Sequence, residues 1–74
     1  SRGLGDVYKR QVCAAGMAAW RRRDETGEFI ICVNPGEGPL PLPDAAKYGE
    51  TVFTVGRAEE RRLEGQSAVI RRIR

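Results

Sequence analysis

The residues with which this 74-residue chain could attempt acid–base chemistry are two pairs of neighbouring carboxylates, Asp24-Glu25 and Glu59-Glu60. Paired Asp/Glu side chains can run glycoside hydrolysis when one is protonated and its partner ionised. That division of roles requires surroundings that push the two pKa values apart. Glu59 and Glu60 stand in the polar run "RAEERRLEG", and Asp24 and Glu25 in the turn-forming "DETG". No burial signal accompanies either pair, so both read as solvated. Ser67 has no proton acceptor of the triad type, because the chain contains no His, and the same absence removes the commonest metal ligand. Cys13 and Cys32 lie outside any CxxC spacing and are too few for a zinc site. They can bridge, but two buried free thiols is the favoured reading, since Cys32 sits inside an apolar run. The glycines of "NPGEG" lack the lysine and the strand-loop-helix setting of a phosphate loop. No catalytic residue, metal ligand or cofactor is expected.

The elements that would position these residues are strands. In "MAAWRRR", Met17, Ala19 and Arg21 fall on one face and Ala18, Trp20 and Arg22 on the other, and "DETG" supplies a turn, so residues 17–33 predict a β-hairpin. Its second arm, "EFIICVN", is apolar on both faces, with Phe29, Ile31 and Val33 opposed to Ile30 and Cys32. A strand of that kind needs cover on both sides. "PGEGP" interrupts the chain, and Pro41 and Pro43 make "LPLP" an edge strand. "DAAKYG" predicts one helical turn with Asp44 as N-cap and Gly49 as C-cap. "ETVFTVG" alternates as a strand, with Phe53 and Val55 opposed to Val52 and Thr54. "RAEERRLEG" reads as a polar strand and turn rather than a helix, and "QSAVIRRI" is the last strand. Short strands punctuated by Gly and Pro predict a small all-β domain, an antiparallel β-sandwich or Greek-key sheet. Val12 and Cys13 predict a further short strand.

The first eleven residues, "SRGLGDVYKRQ", carry no helix or strand period. Back-translated, they resemble the transposon-end adapter ligated to fragments in short-read sequencing libraries. Residues 1–11 are therefore expected to be an adapter-derived scar outside the fold, which leaves 12–74 as the domain. Arg2, Lys9 and Arg10 against Asp6 carry +2 of the net +3, so residues 12–74 hold 10 Lys+Arg against 9 Asp+Glu, a net of +1. That balance points only weakly to nucleic acid or an anionic surface. The arginines of 21–23, 61–62, 71–72 and 74 alternate between strand faces and are interleaved with carboxylates. They read as strand-end charge that discourages edge association. The longest apolar run, Phe29 to Val33, is five residues, far short of the ~20 that span a bilayer, so no membrane partner is expected. The compartment stays open.

In order, "AAWRRRDETGEFIICVNPGEG", "PLPLP", "GETVFTVGRAE" and "LEGQSAVIRRI" resemble the C-terminal domain of the alpha-amylase family, glycoside hydrolase family 13, of the oligo-glucosidase and maltogenic-amylase type. The matching features are Trp20-Arg21-Arg22 before a hairpin, the strand from Phe29 into Asn34-Pro35, the strand Glu50 to Gly56, and the terminal strand Gly65 to Ile73. One departure is Gly36-Glu37-Gly38 after Asn34-Pro35, where a Ser is more usual. The resemblance implies a non-catalytic β-sandwich packed on a catalytic (β/α) barrel of the same parent chain. That parent would be a retaining α-glycosidase or glucanotransferase acting on α-glucan, with its catalytic carboxylates in the barrel and none here. It also implies a sugar contact through an exposed aromatic, Trp20 or Tyr48. For Trp20 a packed position weighs more, since a lone large aromatic in an alternating strand is usually buried. A small standalone β-rich interaction module and a basic nucleic-acid-binding domain are the alternatives.

Overall fold

Side-chain alternation at period two builds the main sheet. The computed structural model describes the backbone of residues 8–11 and the whole of residues 16–73. β2 (Ala18–Asp24) and β3 (Gly27–Asn34) form the expected hairpin, in register from Ala18↔Val33 to Asp24↔Gly27. Its two-residue turn is closed by Asp24, whose Oδ1 accepts from the Thr26 amide at 2.8 Å and the Thr26 hydroxyl at 2.6 Å. Gly27 follows with φ 143°, a conformation side-chain-bearing residues rarely adopt. β7 (Ser67–Arg72) pairs the other side of β3, and β5 (Glu50–Val55) pairs β7. With β1 (Tyr8–Gln11) against β2, the order is β1-β2-β3-β7-β5, every pair antiparallel.

β1 lies within the stretch for which the sequence gives no strand signal. Strand pairing is made by backbone groups, and β2 without a neighbour would present a free row of them. An extended segment of almost any composition can occupy that edge, so hydrophobic periodicity does not report it. Residues 1–7, and residues 12–15 with the expected strand at Val12 and Cys13, lie outside the described residues.

One face of the sheet is covered. β4 (Leu40–Pro41) and β6 (Arg62–Leu63) pair as a second, two-stranded sheet, and α1 (Asp44–Lys47) lies between β4 and β5 in sequence. These elements bring Leu42, Ala46 and Leu63 onto Met17, Ala19, Ile30, Cys32 and Val69 of the large sheet. The antiparallel all-β fold predicted from strand spacing is present, with a second layer thinner than that of a full sandwich. Pro41 and Pro43 lack the amide hydrogen a longer covering strand would need.

Two polar side chains staple this layer. Asn34, fully buried at the end of β3, donates through Nδ2 to the carbonyls of Gly38 (2.9 Å), Leu63 (3.0 Å) and Glu64 (3.1 Å), and its Oδ1 accepts from the Gly36 amide. Arg71, buried on the same face of β7, donates to the carbonyls of Ala46 (3.1 Å), Glu60 (2.7 Å) and Glu59 (2.6 Å) and to Thr51 Oγ1 (3.1 Å). Asn34 thus fixes the loop after β3 to β6, and Arg71 fixes α1 and the segment before β6 to the sheet.

Three local details differ from the sequence expectation. Asp44 does not cap α1: Pro43 holds the N-cap position with no side-chain hydrogen bond, and Asp44 instead accepts from Lys47 Nζ at 3.0 Å. The C-cap is Tyr48, while the Gly49 amide bonds to Ala46 O. In β5 a bulge between Thr51 and Phe53 inserts Val52 as an extra residue, which breaks the simple alternation of Val52 and Thr54 against Phe53 and Val55. The "RAEERRLEG" stretch is turn and strand, ending in β6 with Ala58 bridging Leu63.

Candidate functional site

The other face of the large sheet is where the molecule differs from a closed small domain. Cross-strand partners share a face, so the register Trp20↔Ile31, Ile31↔Ile70 and Ile70↔Phe53 lays one row of large apolar residues across four strands. Beside it runs a smaller row, Ala18, Val33, Ala68 and Val55, and on its other flank Arg22, Phe29, Arg72 and Glu50. No covering element of the described chain lies on this face. Trp20 is 38% exposed, Phe53 57%, Val55 53% and the bulge residue Val52 54%, whereas Ile30 and Cys32 on the opposite face are fully buried. A shallow groove lined by Phe29, Ile31, Val52 and Ile70 runs between the strands and is bordered by Arg22, Asp24 and Thr26.

The cations along this border are held in place. The Arg72 guanidinium lies 6.0 Å from the Phe29 ring centroid and donates to Thr26 O at 2.9 Å, and Arg22 stands 3.7 Å from the Asp24 carboxylate. The Thr26 hydroxyl and amide, with the Arg22 charge beside them, hold the Asp24 carboxyl below its ordinary pKa. On the covered side Arg21 and Arg23 pair with Glu28 at 3.4 and 4.0 Å. Consecutive arginines therefore serve opposite faces, and those of 21–23 and 71–72 do not form one basic surface.

The carboxylates singled out by spacing are not brought together as an acid and a base. Glu59 is exposed and pairs with Arg62 at 3.0 Å, and Glu60 is exposed beside it; both are tied down through their backbone carbonyls by Arg71. Asp24 and Glu25 occupy the hairpin turn. Ser67 Oγ is buried, accepting from the Arg57 amide at 2.9 Å and donating to Gly65 O at 3.1 Å, so it has no hydroxyl proton left for a base. Cys32 is a buried free thiol, and desolvation pushes its pKa up to about 11 against the opposing pull of the Arg71 charge. Cys13 is outside the described residues. Among the described residues no three His, Cys, Asp or Glu side chains converge as metal ligands, and no helix is long and apolar enough to cross a membrane.

The two candidate sugar-stacking aromatics occupy different sides. Trp20 is not core, which corrects the packed reading: it lies on the open face because its parity in β2 is that of Ala18 and Arg22, opposite to Ala19. Tyr48 is 84% exposed just after α1, beside Lys47, Thr51 and Arg71 on the covered side. The pair cannot form one platform. Sequence reasoning also missed the roles of Asn34 and Arg71. For Arg71 the signal was available, since Ser67, Val69 and Arg71 share one parity and Val69 marks that parity as core-facing.

Comparison with protein-family models, with curated proteins and with solved structures gives no significant match to this chain.

Proposed function

We propose that the chain is a non-catalytic C-terminal accessory β-domain of an α-glucan-acting glycoside hydrolase or transglycosidase. Its role is to pack on the catalytic (β/α) barrel of its parent chain and stabilise it. The observation that carries this reading is the half-covered sheet. One face is closed by β4, β6 and α1, while the other sets the Trp20-Ile31-Ile70-Phe53 row against solvent. A contiguous apolar surface of that kind marks an interaction site. The segments whose order resembles the alpha-amylase family supply both the β2-β3 hairpin and strands β5 and β7 of this face. Any α-glucan contact falls to Trp20 at the margin of the face or to Tyr48 on the other side.

The upstream reading frame tests the proposal. About 400 residues of alternating strand and helix pattern, the size range of a barrel with insertions, support it. A start codon close to Val12 contradicts it and favours an independent β-rich interaction module.

A further inference from the structure

We propose that the isolated chain pairs with a second copy of itself through its open face, the two sheets packing face to face as a weak, two-fold symmetric sandwich. The inference does not rest on the accessory-domain reading, because it needs only this chain's own rows of side chains. A barrel tethered to the same chain would reach the face at a high effective concentration and displace the copy.

The occupant is read from the order of residues along each row. In the strand order β2-β3-β7-β5, the rows of the open face are Arg22-Phe29-Arg72-Glu50, Trp20-Ile31-Ile70-Phe53 and Ala18-Val33-Ala68-Val55. A two-fold axis between the sheets, close to the strand direction and midway between β3 and β7, sets each row against its own reverse. Arg22 then meets Glu50 of the second copy, and both are exposed in the single chain. Phe29 meets Arg72, which repeats between chains the contact of guanidinium and ring that the two make within one chain. Ile31 meets Ile70, and Trp20 meets Phe53. In the third row each alanine meets a valine, Ala18 with Val55 and Val33 with Ala68, so small stands against larger.

Charge selects this axis. An axis running across the strands would lay Arg22 over Ala18 and Arg72 over Ala68, burying guanidinium groups with no acid opposite them. An axis close to the strands also keeps the strand directions of the two sheets within the ~30° of aligned packing. The contact is isologous and therefore closes at two copies. The matched patch, four strands by five residues, measures about 19 by 17 Å at ordinary strand spacing. Even with side-chain relief it buries less than the ~800 Å² per partner of a stable complex. The association is therefore weak, and Trp20 is exposed at low micromolar concentration.

Sedimentation equilibrium of the 74-residue chain from low micromolar to millimolar concentration tests this. The expected result is a reversible monomer–dimer equilibrium, with Trp20 emission moving to shorter wavelength as the dimer forms. Ile31→Lys sets a charge at the centre of the face and should leave only monomer, with circular dichroism confirming that each variant is folded. Mixing tests the row order. Arg22→Glu alone sets Glu against Glu at both ends of the dimer, and Glu50→Arg alone sets Arg against Arg, so each should raise the dissociation constant by about tenfold. Mixed in equal amounts, the two variants restore unlike charge at both ends and should bind each other as tightly as the parent chain binds itself. The substitutions change the net +3 by −2 and +2, to +1 and +5, so both variants stay cationic and net attraction does not explain a recovery. A monomer at every concentration, open-ended aggregates, a dimer of Ile31→Lys, single reversals without effect, or a mixture no tighter than its components would each overturn the proposal.

Discussion

At the residue scale, the layer covering the sheet depends on polar side chains. Asn34 satisfies three carbonyls and one amide with a single amide group. Asn34→Ala would remove all four bonds and leave the buried Leu63 carbonyl without this donor, at about 1–3 kcal/mol for a buried group left unmade, while the part-buried groups at Gly36, Gly38 and Glu64 can turn to water. A single hydrophobic core in a domain this small rarely supplies more than about 3–5 kcal/mol. Urea titration should therefore show a clearly lowered midpoint for Asn34→Ala, and an unchanged midpoint would contradict the staple. Cys32 gives a prediction in pH. Its thiol ordinarily titrates near 9.0 and is raised to about 11 in the fold, so the folded state favours the protonated form. That contribution is complete below pH 9 and is lost as pH rises toward 11. In a Cys13→Ser background, the stability gap between the parent and Cys32→Ala should be constant below pH 9 and shrink between pH 9 and 11. A gap that widens over this interval would contradict the assignment. The two residues differ in how far the sequence announced them. Cys32 is legible because it sits in an apolar run. Asn34 is not, because Asn-Pro reads equally as an exposed turn and two of its three acceptors lie 29 and 30 residues away in the chain.

At the scale of elements, β3 separates the two faces with adjacent residues of one type. Ile30 is fully buried and Ile31 is half-buried on the open face. Ile30→Ala should cost about 2–5 kcal/mol in the isolated chain, the range for deleting a buried aliphatic side chain. Ile31→Ala should cost clearly less, and equal costs would show that the second face is also covered. Deleting residues 1–11 removes β1 and exposes the β2 edge, yet among the residues whose side chains are described the buried core runs from Met17 to Val69. The remaining four-stranded sheet should persist, with near-native circular dichroism; loss of the fold would make β1 an integral strand. The β2-β3 hairpin and the strand at β7 were legible because alternation over six or more residues and a Gly-bearing turn specify them locally. The Val52 bulge and the pairing of β1 were not, since both are decided by the neighbouring strand's backbone.

At the scale of the whole molecule, apolar rows on both faces of β3 and a cover on only one of them define the account. That both faces of "EFIICVN" demand cover was readable in the sequence; which face the chain itself would close was not, because the choice rests on where Leu42, Ala46 and Leu63 return from distant positions. The central proposal is that the open face docks on a larger body of the same parent chain, and the chain's single tryptophan stands on that face. The most direct measurement is acrylamide quenching of Trp20 fluorescence in the isolated chain and in the chain joined to the upstream body in its own reading frame. The account predicts ready quenching and red-shifted emission from the isolated chain, and protection with a blue shift in the joined protein. Equal quenching in the two would contradict it.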